Sequence, residues 1–273
     1  MCILFIHRNP DAGACSYKVI VASNRDEFYK RPAKPAHFWE NNSDCLGGID
    51  NEPGREGGTW LAMSTTGRAG IILNLTGETR PHSDPGKGRG NLIVDYVTSR
   101  NSAEDYLSEL HEVNRNGQPY NPYNLVLLDM HDASVRYLSS ELNSAGPQLC
   151  LDDVLGFGNS LMDQPYQKVQ AGKVAFKKII TGATVHERDR LVEDLRQLLK
   201  SEERHLPDPE LQRRSAATYE TLSSIFVHDE DSGYGTRTHS ILLVDGENRV
   251  TFFEETRMPD KTWKTQFFET TLK

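Results

Sequence analysis

At 273 residues, with 37% hydrophobic and 26% charged side chains, the chain has the make-up of a globular protein able to build its own core. Its formal net charge of -8 argues against a nucleic-acid-binding surface. Four scattered cysteines without a C-x-x-C pair suggest neither a metal site nor a disulfide framework, and so a reduced compartment.

The start, Met-Cys-Ile-Leu-Phe-Ile-His-Arg, lacks the basic region and long apolar run of a secretion signal. No apolar stretch is long enough for a transmembrane segment, so membrane association is expected only as peripheral. Ile3 to His7 and Tyr17 to Ser23, rich in β-branched and aromatic residues, read as a hairpin around Asn9-Pro-Asp-Ala-Gly13. Trp60 to Ser64 with Ala69 to Leu75, and Tyr123 to Asp129 with Val135 to Ser139, read as two more. Asp153 to Gly158 adds a strand. Thr238 to Val244 and Arg249 to Glu255 flank the turn signal Asp245-Gly-Glu-Asn248.

Two helix pairs lie between these strands. Gly90 to Ser99 precedes Ser102 to Asn114, which Ser102 opens with acidic residues in its first turn. Gln167 to Ile180 precedes a helix announced by the capping box Thr184-Val-His-Glu187, with Leu191, Leu195 and Leu198 on one face. Pro207 and Pro209 end that pair. The pattern suits α+β: two stacked antiparallel sheets flanked by helices, a four-layer α-β-β-α arrangement in a single domain, 1–273. It fits a generic α+β domain equally.

Cys2 is the first chemical candidate. Removal of Met1 would leave a thiol beside a free α-amine on the same residue, and that amine can serve as the thiol's base. An intact Met1 ties the amine into a peptide bond, and a second-position cysteine also simply suits the start of a strand. Asn24-Arg25-Asp26-Glu27 is the second candidate, four hydrogen-bonding side chains closing an apolar strand. Extended backbone puts Asn24 and Asp26 on one face and Arg25 and Glu27 on the other. The same residues would serve as a solvated strand end. Asn74 and Asn159, each following an apolar strand, could cap turns or donate to an oxyanion, and Arg237 could anchor an anion or pair with an acid. Pro85-Gly-Lys-Gly-Arg-Gly90 could cradle a phosphate, though it lacks P-loop order and suits a helix-entry loop. The nine histidines show no ligand spacing, so no metal site is expected.

Met-Cys at the start, Ser23-Asn-Arg-Asp-Glu-Phe28, Glu56-Gly-Gly-Thr-Trp60, Asn159 with Pro165, and Gly233-Tyr-Gly-Thr-Arg-Thr238 resemble the NRDE-motif proteins, the transport and Golgi organisation family. That family in turn is similar to the cysteine-type N-terminal-nucleophile hydrolases, which include bile-salt hydrolases and penicillin V acylases. The resemblance implies their fold. It also implies Cys2 as nucleophile, Asp26 holding its α-amine, Asn74 and Asn159 binding the oxyanion and the amine, and Arg237 polarising or anchoring. Asn24, Arg25, Asp26 and Glu27 would line the ligand site. The hydrolases carry an arginine where this chain has Ser23, whereas Arg25 here lies between Asn24 and Asp26. The resemblance further implies a ligand-handling role in Golgi organisation, secretion and lipid homeostasis, with haem or acyl-CoA as ligand rather than required cofactor. Golgi and mitochondrial association would accompany the cytoplasmic location. The alternative is a Cys2-dependent amidase or thioesterase acting on an acyl conjugate.

Overall fold

The computed structural model describes residues 1–77, 88–117, 119–141 and 144–273. The strands run, in chain order, β1 Ile3–Arg8, β2 Tyr17–Phe28, β3 Ala33–Trp39, β4 Asn42–Asp50, β5 Leu61–Ser64, β6 Arg68–Asn74 and β7 Tyr123–Asp129. They continue with β8 Ser134–Ser139, β9 Gln148–Cys150, β10 Val154–Phe157, β11 His228–Asp229, β12 Tyr234–Asp245, β13 Arg249–Arg257 and β14 Trp263–Thr271. The helices are α1 Asn91–Thr98, α2 Ala103–Asn116, α3 Gln167–Ile180, α4 Arg188–Leu199 and α5 Pro209–Arg214.

The chain divides into two compact units. Met1–Lys30 with Asp152–Thr271 forms the first, and Arg31–Leu151 with Leu272–Lys273 the second. In the first unit the sheet order is β10-β1-β2-β12-β13-β14, antiparallel throughout, with β11 on the start of β12. Val19, Ile20, Val21 and Ala22 of the central strand β2 are buried on both faces, which is why that strand reads as an unbroken apolar run. Helices α3 and α4 cover one face. The Phe5 and Phe176 rings stack at 5.7 Å, and Leu191, Leu195 and Leu199 join Ile20, Ile241 and Leu243 in one core. Side chains of this kind contribute roughly 1.5–3 kcal/mol each when fully buried. Gly172 lets α3 lie against β1, since a Cβ there would run into the Phe5 ring.

The second unit is an antiparallel sheet in the order β3-β4-β5-β6-β7-β8-β9. Helices α1 and α2 bury Leu92, Ile93, Tyr96, Leu107 and Leu110 with Leu125, Leu127 and Leu138. Two antiparallel sheets, each with its own helices, make the chain α+β as the sequence pattern suggests. Among the described residues no helix is long and apolar enough to cross a membrane.

Several local expectations change. Strand β2 does not stop at Ser23 but runs to Phe28, so the Asn24–Glu27 tetrad lies within a strand. The polar residues are tolerated there because β12 pairs with them, Asn24 opposite His239 and Asp26 opposite Thr236. The Thr184–Glu187 capping box does not form. Val185–Glu187 is instead a 3-10 turn closed by the Glu187 N–H on the Thr184 carbonyl, and Thr184 makes no side-chain cap. Leu199 rather than Leu198 is the buried leucine at the end of α4. Pro209 does not end a helix but begins α5, with Asp208 capping the Leu211 N–H. Ser102 caps α2 as expected, accepting from the Asp105 N–H. Pro85 to Lys87 of the glycine-rich loop lie outside the described residues, and the Arg89 guanidinium donates to the Pro122 carbonyl at 2.7 Å.

Candidate active site

Strands β1 and β2 pair with Ile3 opposite Asn24, and the same register carries the preceding residues alongside Arg25 and Asp26. Cys2 is half-buried there. Its Sγ accepts the Asp26 N–H at 3.4 Å and donates to the Asp26 carbonyl at 3.8 Å. The Asp26 carboxylate divides its work. Its Oδ2 lies 2.9 Å from the Met1 amine, both groups almost wholly buried, while Oδ1 accepts the Thr236 hydroxyl at 2.7 Å. The amine also donates to the Tyr234 hydroxyl, and the Thr236 hydroxyl accepts the Val227 N–H at 2.9 Å. The Cys2 thiol, Asp26 and a chain-terminal amine are thus held together.

Burial pushes the Cys2 thiol up from its ordinary value. The nearby amine pulls it back down and the Asp26 charge pushes it higher, so with Met1 in place the thiol is held neutral. Burial also raises the Tyr234 phenol well above its usual range, with the charge of Asp26 adding to the effect.

Arg237 sits at a bulge. Asp26 pairs with Thr236 and Arg25 with Thr238, leaving Arg237 as the extra residue, and its guanidinium donates to the Phe28 carbonyl at 3.2 Å. Asn159 follows β10, is buried, and its backbone carbonyl accepts the Tyr166 hydroxyl at 3.2 Å. Asn74 ends β6 in the second unit, where it pairs with Tyr123 and is exposed rather than buried. Arg25 is buried, and the half-buried Glu27 accepts the Phe28 N–H.

Asn24 is tied into the fold. Its amide donates to the carbonyls of Leu199 at 2.8 Å and Ile225 at 3.0 Å, joining β2 to the end of α4. Its Oδ1 faces His239 Nδ1 at 2.7 Å, which makes that nitrogen the protonated one in a neutral ring. The His239 ring stacks on Trp263 at 4.9 Å and on Phe226 at 5.8 Å. Burial pushes its pKa down to about 3, and the cations of Lys200 and Arg196 push the same way. A histidine that titrates lower when folded than when unfolded stabilises the fold fully above pH ~6.5 and loses that contribution as pH falls toward its folded value. Below pH ~6.5 the stability margin of the wild type over His239→Gln is therefore expected to shrink by about 1.4 kcal/mol per pH unit. Denaturant midpoints at a series of pH values check this, and a margin that stays constant would refute it.

Sequence reasoning did not nominate Tyr234, Thr236, His239 or Lys168. The first two lie in the quoted Gly233–Thr238 stretch. Lys168 could have been found as a lysine on the otherwise apolar face of α3, where Lys168, Val169, Gly172 and Phe176 are buried.

A family described as Transport and Golgi organisation 2 matches residues 1–259. The chain belongs to that family. It is 39% identical to Transport and Golgi organization protein 2 of Drosophila melanogaster, over 94% of this chain and 92% of the relative. With the Homo sapiens homolog it shares 36% identity over 100% and 99% of the two chains. Among solved structures it resembles a Caenorhabditis elegans N-acylethanolamine-hydrolyzing acid amidase ortholog, with a TM-score of 0.51, 9% identity, and 89% and 92% of the two chains covered. It also resembles a mutant of conjugated bile acid hydrolase from Clostridium perfringens, with a TM-score of 0.52, 10% identity, and 100% and 92% covered. The fold is therefore the N-terminal-nucleophile hydrolase-like one.

Proposed function

We propose that this chain serves transport and Golgi organisation, as its relatives' name states for them, through an acyl-ligand site in which Cys2 accepts an acyl group from an amide or thioester. The observation that carries this reading is the buried amine–Asp26 ion pair beside the Cys2 thiol. Once Met1 is removed, the freed Cys2 amine takes the thiol proton and the sulfur adds to the substrate carbonyl. The C–N or C–S bond then breaks as the amine returns the proton to the leaving group, and water cleaves the resulting thioester. Asp26 holds the amine in the orientation this needs. Arg237 and Asn159 are the proposed anchors for the carbonyl and leaving group.

A second reading, carriage of haem or acyl-CoA without turnover, is favoured by one observation. With Met1 in place its own amine occupies the Asp26 carboxylate and the thiol is held neutral. Intact mass of protein purified from its native cells, before and after a thiol-directed acylating probe, separates the two. Loss of Met1 together with a single acyl adduct absent from Cys2→Ala is the result expected. Retained Met1, or adducts distributed over Cys2, Cys15 and Cys45 alike, would leave carriage as the function.

A further inference from the structure

Strand β2 runs from Tyr17 to Phe28, so its opening residue lies roughly 30 Å from Asp26 at the rise of an extended strand. Beside Tyr17 the first unit holds a cavity of about 560 Å³, within the size range of small-molecule sites. Its walls carry Tyr17, His186, Arg188, Asp245, Arg249 and Glu269, with Leu243 and Val250 among the apolar lining. Tyr17 is 5% exposed, and its hydroxyl has no hydrogen-bond partner. Burial pushes that phenol up to about 12, so it stands there as a neutral donor in want of an acceptor. A buried hydroxyl left unpaired costs free energy that a ligand oxygen would recover.

The charges on the walls come in opposite pairs. Arg188 donates to Glu269, and Arg249 donates to Asp245 at 2.6 Å. A guanidinium has five N–H donors, more than one carboxylate takes up, and a carboxylate accepts more bonds than one arginine gives. Such walls suit a ligand bearing both carboxylate and ammonium groups better than a simple anion. Cys15 stands beside this cavity and is exposed. Its carbonyl accepts the Val185 N–H at 3.1 Å, which fixes it against the turn that carries His186, and its sulfur lies 3.9 Å from His186 Nε2. An accessible thiol beside a histidine and near arginines is the setting in which cysteines react.

We propose that Cys15 and this cavity form a thiol–disulfide exchange site for a low-mass peptide disulfide that carries both carboxylate and ammonium groups. His186 takes the Cys15 proton, and the Cys15 sulfur attacks one sulfur of the bound disulfide. A mixed disulfide between Cys15 and one peptide forms as the original S–S bond breaks, and the departing thiolate takes the proton back from His186. Cys15 is oxidised, one half of the peptide disulfide is reduced to its thiol, and no further reactant is needed. Tyr17, Arg188 and Arg249 hold the carboxylates, and Asp245 and Glu269 hold the ammonium group. The mixed disulfide is reversible by the same exchange with a free thiol. The site stands apart from Cys2 and does not depend on the removal of Met1.

Treatment of the full chain with glutathione disulfide, followed by intact mass and peptide mapping, is the test. A single mixed disulfide on Cys15, absent from Cys15→Ala, is expected. Hydroxyethyl disulfide, which lacks charged groups, serves as the comparison, each rate being taken relative to that with free cysteine. On that scale glutathione disulfide is expected to react roughly tenfold faster at Cys15, about the factor that one charge-assisted hydrogen bond supplies. Arg249→Gln and Arg188→Gln should each remove most of that preference. His186→Gln, which keeps a hydrogen-bonding side chain but no base, should slow exchange with both disulfides. Equal relative rates for the two disulfides would reduce Cys15 to an exposed thiol and overturn the site. A preference that survives both arginine substitutions would overturn it too, as would adducts spread over Cys2, Cys15 and Cys45 alike.

Discussion

Asp26→Ala is expected to cost about 3–5 kcal/mol of stability, because it breaks a buried ion pair by removing one partner. The Met1 amine would lose its carboxylate partner and keep the Tyr234 hydroxyl. The Thr236 hydroxyl would lose its acceptor while still holding the Val227 N–H. Asp26→Asn separates the contributions. The amide oxygen can still accept from Thr236, so the hydrogen bond persists while the charge is gone, and the smaller loss measures the electrostatic part alone. A domain's whole stability is about 5–15 kcal/mol, so the alanine variant should sit close to unfolding at ordinary temperature. Chemical denaturation at neutral pH is the measurement. A loss below about 1 kcal/mol for Asp26→Ala would mean that the amine finds other compensation, and that Asp26 is not the electrostatic centre of this site.

What the sequence discloses about this arrangement, and what it hides, follows from what each residue packs against. The apolar halves of β1 and β2 are legible because Ile3, Phe5, Val19 and Val21 are β-branched or aromatic and lie in central strands. Helix α3 is legible to both its ends, since its apolar positions recur at helical spacing. Strand β14 was invisible for the opposite reason. It is an edge strand with alternating exposure, and Lys264, Thr265, Gln266 and Glu269 satisfy its geometry without forming an apolar run. Strand β3 hides in the same way behind Pro35 and His37.

The site was legible in part. The sequence shows that Asn24 and Asp26 share a strand face, and in the fold each meets its partner on β12, His239 and Thr236 respectively. It could not show that Asn24 is bound to the end of α4 and to His239, contacts that span 175 and 215 residues of chain. Lys168 was hidden by a sound rule, that lysines on helices normally lie in water. Its place on the otherwise apolar face of α3, beside Val169, Gly172 and Phe176, was the one signal against that rule.

Hydrolysis of an acyl amide or thioester by processed protein is expected to fall by at least ~10³-fold in Cys2→Ala, because removal of a nucleophile leaves only the binding contributions of its surroundings. Cys15→Ala should leave the rate unchanged. Cys15 is the useful control because it is exposed and its sulfur lies 3.9 Å from a His186 ring nitrogen, so it could mimic an activated thiol in any labelling assay. Cys45 is a weaker competitor, since burial pushes its thiol up to about 11. The expectation has a second arm in the unprocessed chain. With Met1 present, Cys2 has no free amine to act as base, and its thiol is held neutral between burial and the Asp26 charge. Rates across preparations should therefore scale with the fraction of chains that begin at Cys2, read by intact mass, and extrapolate to zero for the fully Met1-bearing form. A rate in Cys2→Ala within about threefold of the wild type, or activity independent of processing, would remove Cys2 from the mechanism. The buried amine–Asp26 pair would then be a device that fixes the chain terminus in a binding protein.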